Sequence, residues 1–150
     1  MCYRIWALAW TKLNEQDEEL VGTLDRGLLR QAFSHPTNKR LAWLGDSIIY
    51  LAVTEHLYRT SRHEAGVLDP ERRKIIGNDN LKQTVAERFY LKSQIQIPPS
   101  ERDPDSREIL AAAFEALTCA VFLEKGYEFA AAFVRRALFP TSAPYTTRSE

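Results

Sequence analysis

The chain has 150 residues, of which 45% are hydrophobic and 27% are charged, and its 20 basic and 20 acidic side chains give a formal net charge of zero. This length and composition are typical of one soluble globular domain. A net charge of zero excludes a strong overall field, so a nucleic-acid partner would have to be held by a local basic patch.

The two cysteines, Cys2 and Cys119, are too few for a disulfide framework. We therefore expect a reducing compartment, either the cytoplasm or another intracellular one, with organelles included. The sequence contains no CxxC pair and no Cys/His cluster, which excludes a typical zinc site.

The N-terminal ten residues are apolar, but a membrane-spanning helix needs about twenty such residues. The stretch also lacks a small-residue cleavage site, so we expect neither a membrane anchor nor a secretory signal. Residues 14–19 are polar and acidic and indicate a loop or the start of a helix. We predict that residues 1–24 form an extension that packs on the body of the protein.

Two helices are predicted next. Asp25 can cap a short helix that runs to Phe33, and Pro36 ends it. Asn38 is the predicted N-cap of a long apolar helix over residues 41–60, which we expect to be central to the fold.

Further helices follow, each with a recognisable start or stop. Asp69, Pro70 and Glu71 predict a helix start, with Asp as the cap and Pro in the first turn. The other predicted helices begin at Asn78 or Asp79, at Ser106 and at Tyr127, and end near Phe89, Glu124 and Leu138. No strand pattern or repeat is present, so the predicted class is all-α. The body should cover residues 25–139, and residues 140–150 should form a flexible tail.

Two apolar helical stretches each carry a carboxylate that the apolar pattern does not explain. The first is NKRLAWLGDS (residues 38–47), which contains Asp46, and the second is AAFEAL (residues 112–117), which contains Glu115. Burying an unpaired carboxylate costs on the order of several kcal/mol, so such a group should be paired, hydrogen-bonded or metal-bound. Two acids on two helices could share one cation.

The first stretch resembles the signature of the ribonuclease III family, in which Asn-Glu-Arg-Leu-Glu-Phe-Leu-Gly-Asp opens the central helix. Residues 32–35 resemble the segment that precedes this signature in the family. Residues 80–89 resemble the middle helix of the family domain, and residues 109–127 resemble its second acidic motif. The similarity covers about residues 28–138. It implies the helical fold of the ribonuclease III endonuclease domain, a dimer, and Mg²⁺-dependent action on double-stranded RNA.

The departures from the family pattern concern the metal ligands. The resemblance implies four carboxylates, of which Asp46 and Glu115 are kept while Ala42 and Ala112 replace the other two. Lys39 also stands where the signature has a Glu. Ala42 lies four residues before Asp46 and Ala112 lies three before Glu115, so each alanine faces the same way as the remaining acid.

This loss predicts weak or absent Mg²⁺ binding and reduced cleavage, because one or two carboxylates can hold one Mg²⁺ but two ions need more. The chain is then a weakly active or inactive RNA-binding or assembly subunit. The alternative is an active Mg²⁺-dependent double-stranded-RNA endonuclease, either with a reduced site or with alanines engineered into it. A third hypothesis is a protein-interaction domain that does not bind RNA.

Three residues each have two possible roles. Trp43 stands where the resemblance implies an aromatic side chain at the dimer interface, in a homodimer or a heterodimer, although a core position is the plain alternative. Asp46 could instead form an ion pair with Lys39 or Arg40. Glu108, one turn before Ala112, is a substitute ligand or simply an exposed side chain.

The remaining charged residues are less specific. Residues 72–74 (Arg-Arg-Lys) and 135–136 (Arg-Arg) are candidate phosphate contacts or ordinary solvated helix faces. The three histidines, at positions 35, 56 and 63, lack ligand spacing and should have surface or capping roles. The chain ends without a double-stranded-RNA-binding domain, so it resembles the short members of the family.

Overall fold

A computed structural model describes residues 15–84, 93–101 and 106–140, and this part of the chain is built from helices. Within it, extended backbone pairs only at a single parallel bridge between Ser34 and Gln96. The all-α prediction is confirmed. The helices are α1 (Glu15–Gly22), α2 (Arg26–Ala32), α3 (Lys39–Thr60), α4 (Ala65–Ile76), α5 (Asn78–Thr84), α6 (Arg107–Lys125) and α7 (Tyr127–Leu138).

The centre of the fold is the packing of α3 against α6, which is more extensive than that between any other two described helices. Their facing apolar sides supply fully buried side chains such as Ile49, Val53 and Leu117. α7 closes the core from the other side, where Phe133 stacks on Phe114 with ring centroids 5.7 Å apart. The long helix predicted around residues 41–60 is therefore the central one.

The two central helices come into backbone contact at Gly45. A Cβ atom added at this glycine would lie 1.8 Å from the carbonyl oxygen of Glu115 and 2.5 Å from its carbonyl carbon. Because no side chain larger than hydrogen fits there, Gly45 sets the closest approach of α3 and α6. This contact also fixes the level at which the two acidic motifs meet.

Several helix ends lie where the sequence placed them. The side chain of Asp25 accepts a hydrogen bond of 2.8 Å from the Leu28 amide, and Ser106 Oγ accepts one of 3.2 Å from the Ile109 amide. Gly126 ends α6 with a φ of 87°, a conformation that favours glycine. The predictions of these two caps and of this stop are confirmed.

Asn38 does not cap α3, contrary to the sequence prediction. It occupies the position before the helix, but its own backbone is already helical and its side chain makes no capping bond. The side chain instead donates a hydrogen bond of 3.0 Å from Nδ2 to the carbonyl of Ala32. Asn38 is fully buried, and it ties the end of α2 to the beginning of α3.

The predicted helix start at Asp69 and Pro70 is wrong, because α4 already begins at Ala65 and contains Pro70. A proline inside a helix removes the hydrogen bond to the carbonyl four residues earlier, here Gly66. Gly66 is exposed, so water can replace that bond near the first turn. Asp69 does not cap the helix but pairs with Arg72 and Arg73.

The residues before α2 contact the body at several points. Asp17 is buried and pairs with Arg136 of α7, and Val21 and Leu24 belong to the core. The carboxylate of Glu124 accepts the Asp25 amide at 2.9 Å. Residues 1–14, 85–92 and 141–150 lie outside the described part, so the predicted domain limits, the helix end at Phe89 and the tail stay predictions.

None of the helices in the described ranges is long and apolar enough to cross a membrane.

Candidate functional site

The close contact of α3 and α6 brings the two acidic motifs to one place. Asp46 directly follows Gly45, and Gly45 lies against the backbone of Glu115. Burial raises the pKa of Glu115 to about 7, and the negative charge of Asp46 contributes to this rise. The two carboxyl groups are therefore within electrostatic reach of each other.

The two acids differ in exposure, which corrects one expectation. Asp46 is exposed to solvent, whereas Glu115 is partly buried. Only the second motif therefore carries a carboxylate that burial penalises.

Ala42 and Ala112 belong to an apolar cluster next to the two acids. Ala42 is 5% exposed, and Ala112 is partly buried against the same cluster. The fully enclosed members of the cluster come from three helices and are Ala32, Leu41, Ala42, Ala116 and Cys119. Methyl groups thus fill the side of the site where the family resemblance implies carboxylates.

The ligand set that remains is small. In the described ranges, no group of three or more His, Cys, Asp or Glu side chains is placed to hold a metal ion. Glu108 is exposed on the first turn of α6, as expected of an ordinary surface side chain. Two carboxyl groups are as many as one Mg²⁺ usually takes from a protein, with water completing its coordination.

The ion-pair alternative for Asp46 is not observed. Lys39 and Arg40 are exposed at the start of α3, and neither forms a salt bridge with Asp46. Pairing with Lys39 or Arg40 therefore does not explain the position of Asp46.

Trp43 is not a core residue, because 77% of its surface is exposed. Leu51 and Tyr58 are 53% and 78% exposed and lie farther along the same side of α3. The core alternative for Trp43 is therefore wrong for this chain. A large exposed apolar side is typical of a protein interface.

Most of the arginines predicted as phosphate contacts have structural partners. Arg72 pairs with Asp69, donates a 3.1 Å hydrogen bond to Thr54 and lies 4.1 Å from the ring centre of Tyr50. Arg73 also pairs with Asp69. The guanidinium group of Arg72 holds α4 against α3, whereas the Arg73 pair lies within α4. Arg136 holds α1 against α7.

The histidines are not ligands of the site. His56 is buried and stacks on Phe139 with ring centroids 3.9 Å apart. Burial lowers the pKa of His56, and the positive charge of Arg135 lowers it further. His35 lies with its Nε2 3.6 Å from a carboxylate oxygen of Glu101. For His56 the expected surface role is wrong.

Sequence reasoning missed the role of Gly45 in building the site. A glycine inside a strongly apolar helix weakens the helix unless a close backbone approach requires it. The sequence contains this signal, but it does not show that the backbone of Glu115 is the group that approaches Gly45.

The raised pKa of Glu115 predicts a pH-dependent stability in the absence of divalent cations. Its folded pKa of about 7 lies above the ordinary value of 4.5, so the folded protein holds a proton that the unfolded chain releases. The contribution of this proton to stability is fully present below pH 4.5 and is lost as the pH rises through about 7. We expect a loss on the order of 1–2 kcal/mol after allowance for solvent screening.

Urea unfolding of the parent chain and of Glu115→Gln across this pH range measures the effect. The glutamine has the same shape and no titration, so the stability difference between the two proteins should change with pH. Parallel pH profiles would contradict a raised pKa at Glu115.

The chain is similar to known proteins in both sequence and structure. A family model of ribonuclease-III-like domains matches residues 25–142. Ribonuclease 3 of Borreliella afzelii is 35% identical over 122 residues, which are 71% of this chain and 49% of that protein. Ribonuclease 3 of Variovorax paradoxus is 37% identical over 117 residues, which are 75% of this chain and 51% of that protein. The chain thus spans about half the length of these relatives.

Two solved structures of the nuclease domain of ribonuclease III from Campylobacter jejuni have the same fold. One has a TM-score of 0.72 at 26% identity and covers 84% of this chain and 98% of its own. It is described as showing structural flexibility in a region involved in dimer formation. The other has a TM-score of 0.73, also at 26% identity, and covers 88% of this chain and 99% of its own.

Proposed function

We propose that this chain, which belongs to the ribonuclease-III-like family, binds double-stranded RNA and cleaves it weakly or not at all, serving as an RNA-binding or assembly subunit. Membership of the family supports double-stranded RNA as the partner. The same membership supports Mg²⁺ as the ion that this type of site accepts.

One observation carries the proposal of weak or absent cleavage. Ala42 and Ala112 lie in an apolar cluster beside Asp46 and Glu115, at the helix contact that builds the site. A carboxylate at position 42 would enter a place that is 5% exposed. The loss of two ligands is therefore accompanied by apolar packing, as expected of a site no longer selected for tight metal binding.

The side chains that remain can still do part of the chemistry. Mg²⁺, when bound, supplies an activated water and a charge that stabilises the leaving oxygen of a phosphodiester. Asp46 is exposed, so its carboxyl group would meet an ion that arrives from solvent. Glu115 has to lose its proton to become a ligand, which weakens binding near neutral pH.

An active Mg²⁺-dependent endonuclease is the second candidate function. Its support is the electrostatic interaction between Asp46 and Glu115, since one or two carboxylates together with water can hold one Mg²⁺. On this alternative, a single weakly held ion suffices for slow cleavage.

Incubation of labelled duplex RNA with the protein separates the two candidates. Binding without cleavage in millimolar Mg²⁺ or Mn²⁺ supports the proposed function. Cleavage that disappears in Asp46→Asn and Glu115→Gln supports the active enzyme. The absence of any duplex binding would contradict both candidates.

We also propose a dimer with Trp43 at its interface, formed with a second copy or with another ribonuclease III-like subunit. The support is the exposed side of α3, which carries Trp43, Leu51 and Tyr58. Large aromatic side chains of this kind dominate the energy of many interfaces. We also propose a reducing compartment, from the free and buried cysteine Cys119.

Sedimentation velocity at tens of micromolar tests the dimer. We expect a dimer that Trp43→Ala weakens by about 2 kcal/mol or more. Phe129→Ala is the matched control, because Phe129 is also a large aromatic side chain, 54% exposed, but lies on another helix, α7. A monomeric parent chain would contradict a homodimer and leave a heterodimer to be sought with a partner subunit.

A further inference from the structure

We propose that Arg30, Lys39 and Arg40 form the surface that contacts the phosphates of duplex RNA, and we call these three residues the basic corner. The inference rests on the proposed function and deepens it, because it names the part of the chain that holds the RNA. The observations that carry it are the exposure of the three side chains, the absence of a salt bridge from any of them to another described residue, and the position of Lys39 relative to the candidate site.

The fold holds the three residues at one corner, where α2 ends and α3 begins. Ser34 Oγ donates a hydrogen bond of 2.6 Å to the carbonyl of Arg30, and the Asn38 side chain donates one of 3.0 Å to the carbonyl of Ala32. The Lys39 amide donates to the carbonyl of Pro36 at 3.2 Å. These bonds fix the turn between the two helices that carry the three basic residues.

The three side chains are exposed, and no salt bridge joins any of them to another described residue. Other arginines of the described ranges behave differently. Arg59 pairs with Glu55, and Arg72 and Arg136 each pair with an aspartate. The basic corner thus keeps its positive charges available to an external anion.

The stability of the protein does not explain these charges. α3 has no acidic residue in its first turn and no side-chain cap, while Lys39 and Arg40 are its first two residues. Positive charges at this end of a helix oppose the helix dipole. Lys39 also stands where the family signature has a Glu, so the change at this position reverses a charge that the dipole would favour.

The corner is in the right place to hold a duplex over the candidate site. Lys39 and Asp46 are seven residues apart on α3, so they lie on one side of the helix, about 10 Å apart along its axis. The chain has no net charge, so an RNA duplex has to be attracted by a local group of cations. Arginine and lysine at such a corner are suited to phosphate oxygens.

The test measures duplex RNA affinity against salt concentration for two double variants with the same charge change. Arg30→Gln with Lys39→Gln removes two cations from the corner. Arg59→Gln with Arg62→Gln removes two exposed cations at the opposite end of α3. We expect the corner variant to lower the slope of log affinity against log salt by about two, and the control to leave it unchanged.

A third variant, Lys39→Glu, distinguishes a lost contact from a damaged fold. It places an acid in the first turn of α3, so the melting temperature should rise while the affinity for RNA falls. Opposite changes of this kind cannot come from unfolding. A fall in both would overturn the proposal.

The remaining outcomes decide between the inference and the function on which it rests. Equal slopes for the corner and control variants, with the parent chain binding RNA, would overturn the basic corner alone. No binding of duplex RNA by the parent chain at any salt would overturn the proposed function as well. Unchanged RNA binding together with loss of an acidic protein partner would assign the corner to that protein.

Discussion

The chain that carries both Ala42→Glu and Ala112→Asp is expected to be less stable than the parent without metal and to regain stability when millimolar Mg²⁺ is added. The two changes place four carboxyl groups at the α3–α6 contact, beside Asp46 and Glu115. Mutual repulsion and burial favour the protonated forms until a cation neutralises the group. Binding of Mg²⁺ to the folded state then stabilises it by mass action.

The structure indicates that the cost without metal is large. Ala42 is 5% exposed and packs with Leu41 and Cys119, so a carboxylate there loses most of its hydration. We expect a destabilisation of about 3 kcal/mol or more. Mg²⁺ at a hundred times its dissociation constant would restore about 2.7 kcal/mol, whereas the parent chain should respond only slightly.

The matched control is Ala42→Gln with Ala112→Asn, which adds groups of nearly the same size without charge. It should be destabilised by overpacking but should show no added response to Mg²⁺. Thermal melting with and without Mg²⁺ measures this difference. Equal gains in the parent, the restored variant and the control would show that the four positions do not form one site.

Cleavage provides a second measurement on the same proteins. Duplex RNA cleavage should appear or rise in the restored variant and not in the amide control. The melting temperature of the chain with Ala42→Glu and Ala112→Asp could depend on Mg²⁺ without any cleavage of RNA. That result would show that the four carboxyl groups form a metal site and that the surrounding cleft no longer admits RNA.

Gly45→Ala is expected to destabilise the protein strongly, although alanine is the better helix former by about 1 kcal/mol. The new Cβ would lie 1.8 Å from the Glu115 carbonyl oxygen. Both atoms belong to helix backbones, so the clash can be relieved only if α3 and α6 move apart. We expect a loss of about 3 kcal/mol or more in the free energy of unfolding.

The matched control is Gly66→Ala in α4, where an added Cβ meets no atom within 4 Å. It should be neutral or should stabilise the protein by up to about 1 kcal/mol. Urea unfolding of the two variants measures both effects. Similar changes of the same sign would contradict the close contact at Gly45. The displaced helices should also lower the pKa of Glu115, because both its burial and its distance from Asp46 would change.

Local signals in the sequence determined many of the helices and their ends. Asp25 and Ser106 cap helices through bonds to amides three residues away, and Gly126 ends α6 with a positive φ. These interactions span a few residues, so their pattern is visible without the fold. The acidic motifs were likewise visible, because Asp46 and Glu115 interrupt apolar helical spacing.

The same local signals failed where a distant group decided the outcome. Asparagine is a common N-cap residue, but the side chain of Asn38 instead donates a hydrogen bond to the carbonyl of Ala32 at the end of α2. Pro70 reads as a helix start, yet α4 continues through it, because tertiary packing of α4 on α3 outweighs one lost bond at an exposed turn.

The sequence predicted only part of the candidate site. The spacing of Ala42 and Ala112 from the two acids predicted which residues share a side of each helix. It could not predict that Asp46 is exposed while Glu115 is partly buried, or that the alanines join an apolar cluster. Those properties depend on how closely α3 and α6 approach, and the approach is set by the contact between Gly45 and the backbone of Glu115, two residues seventy positions apart in the sequence.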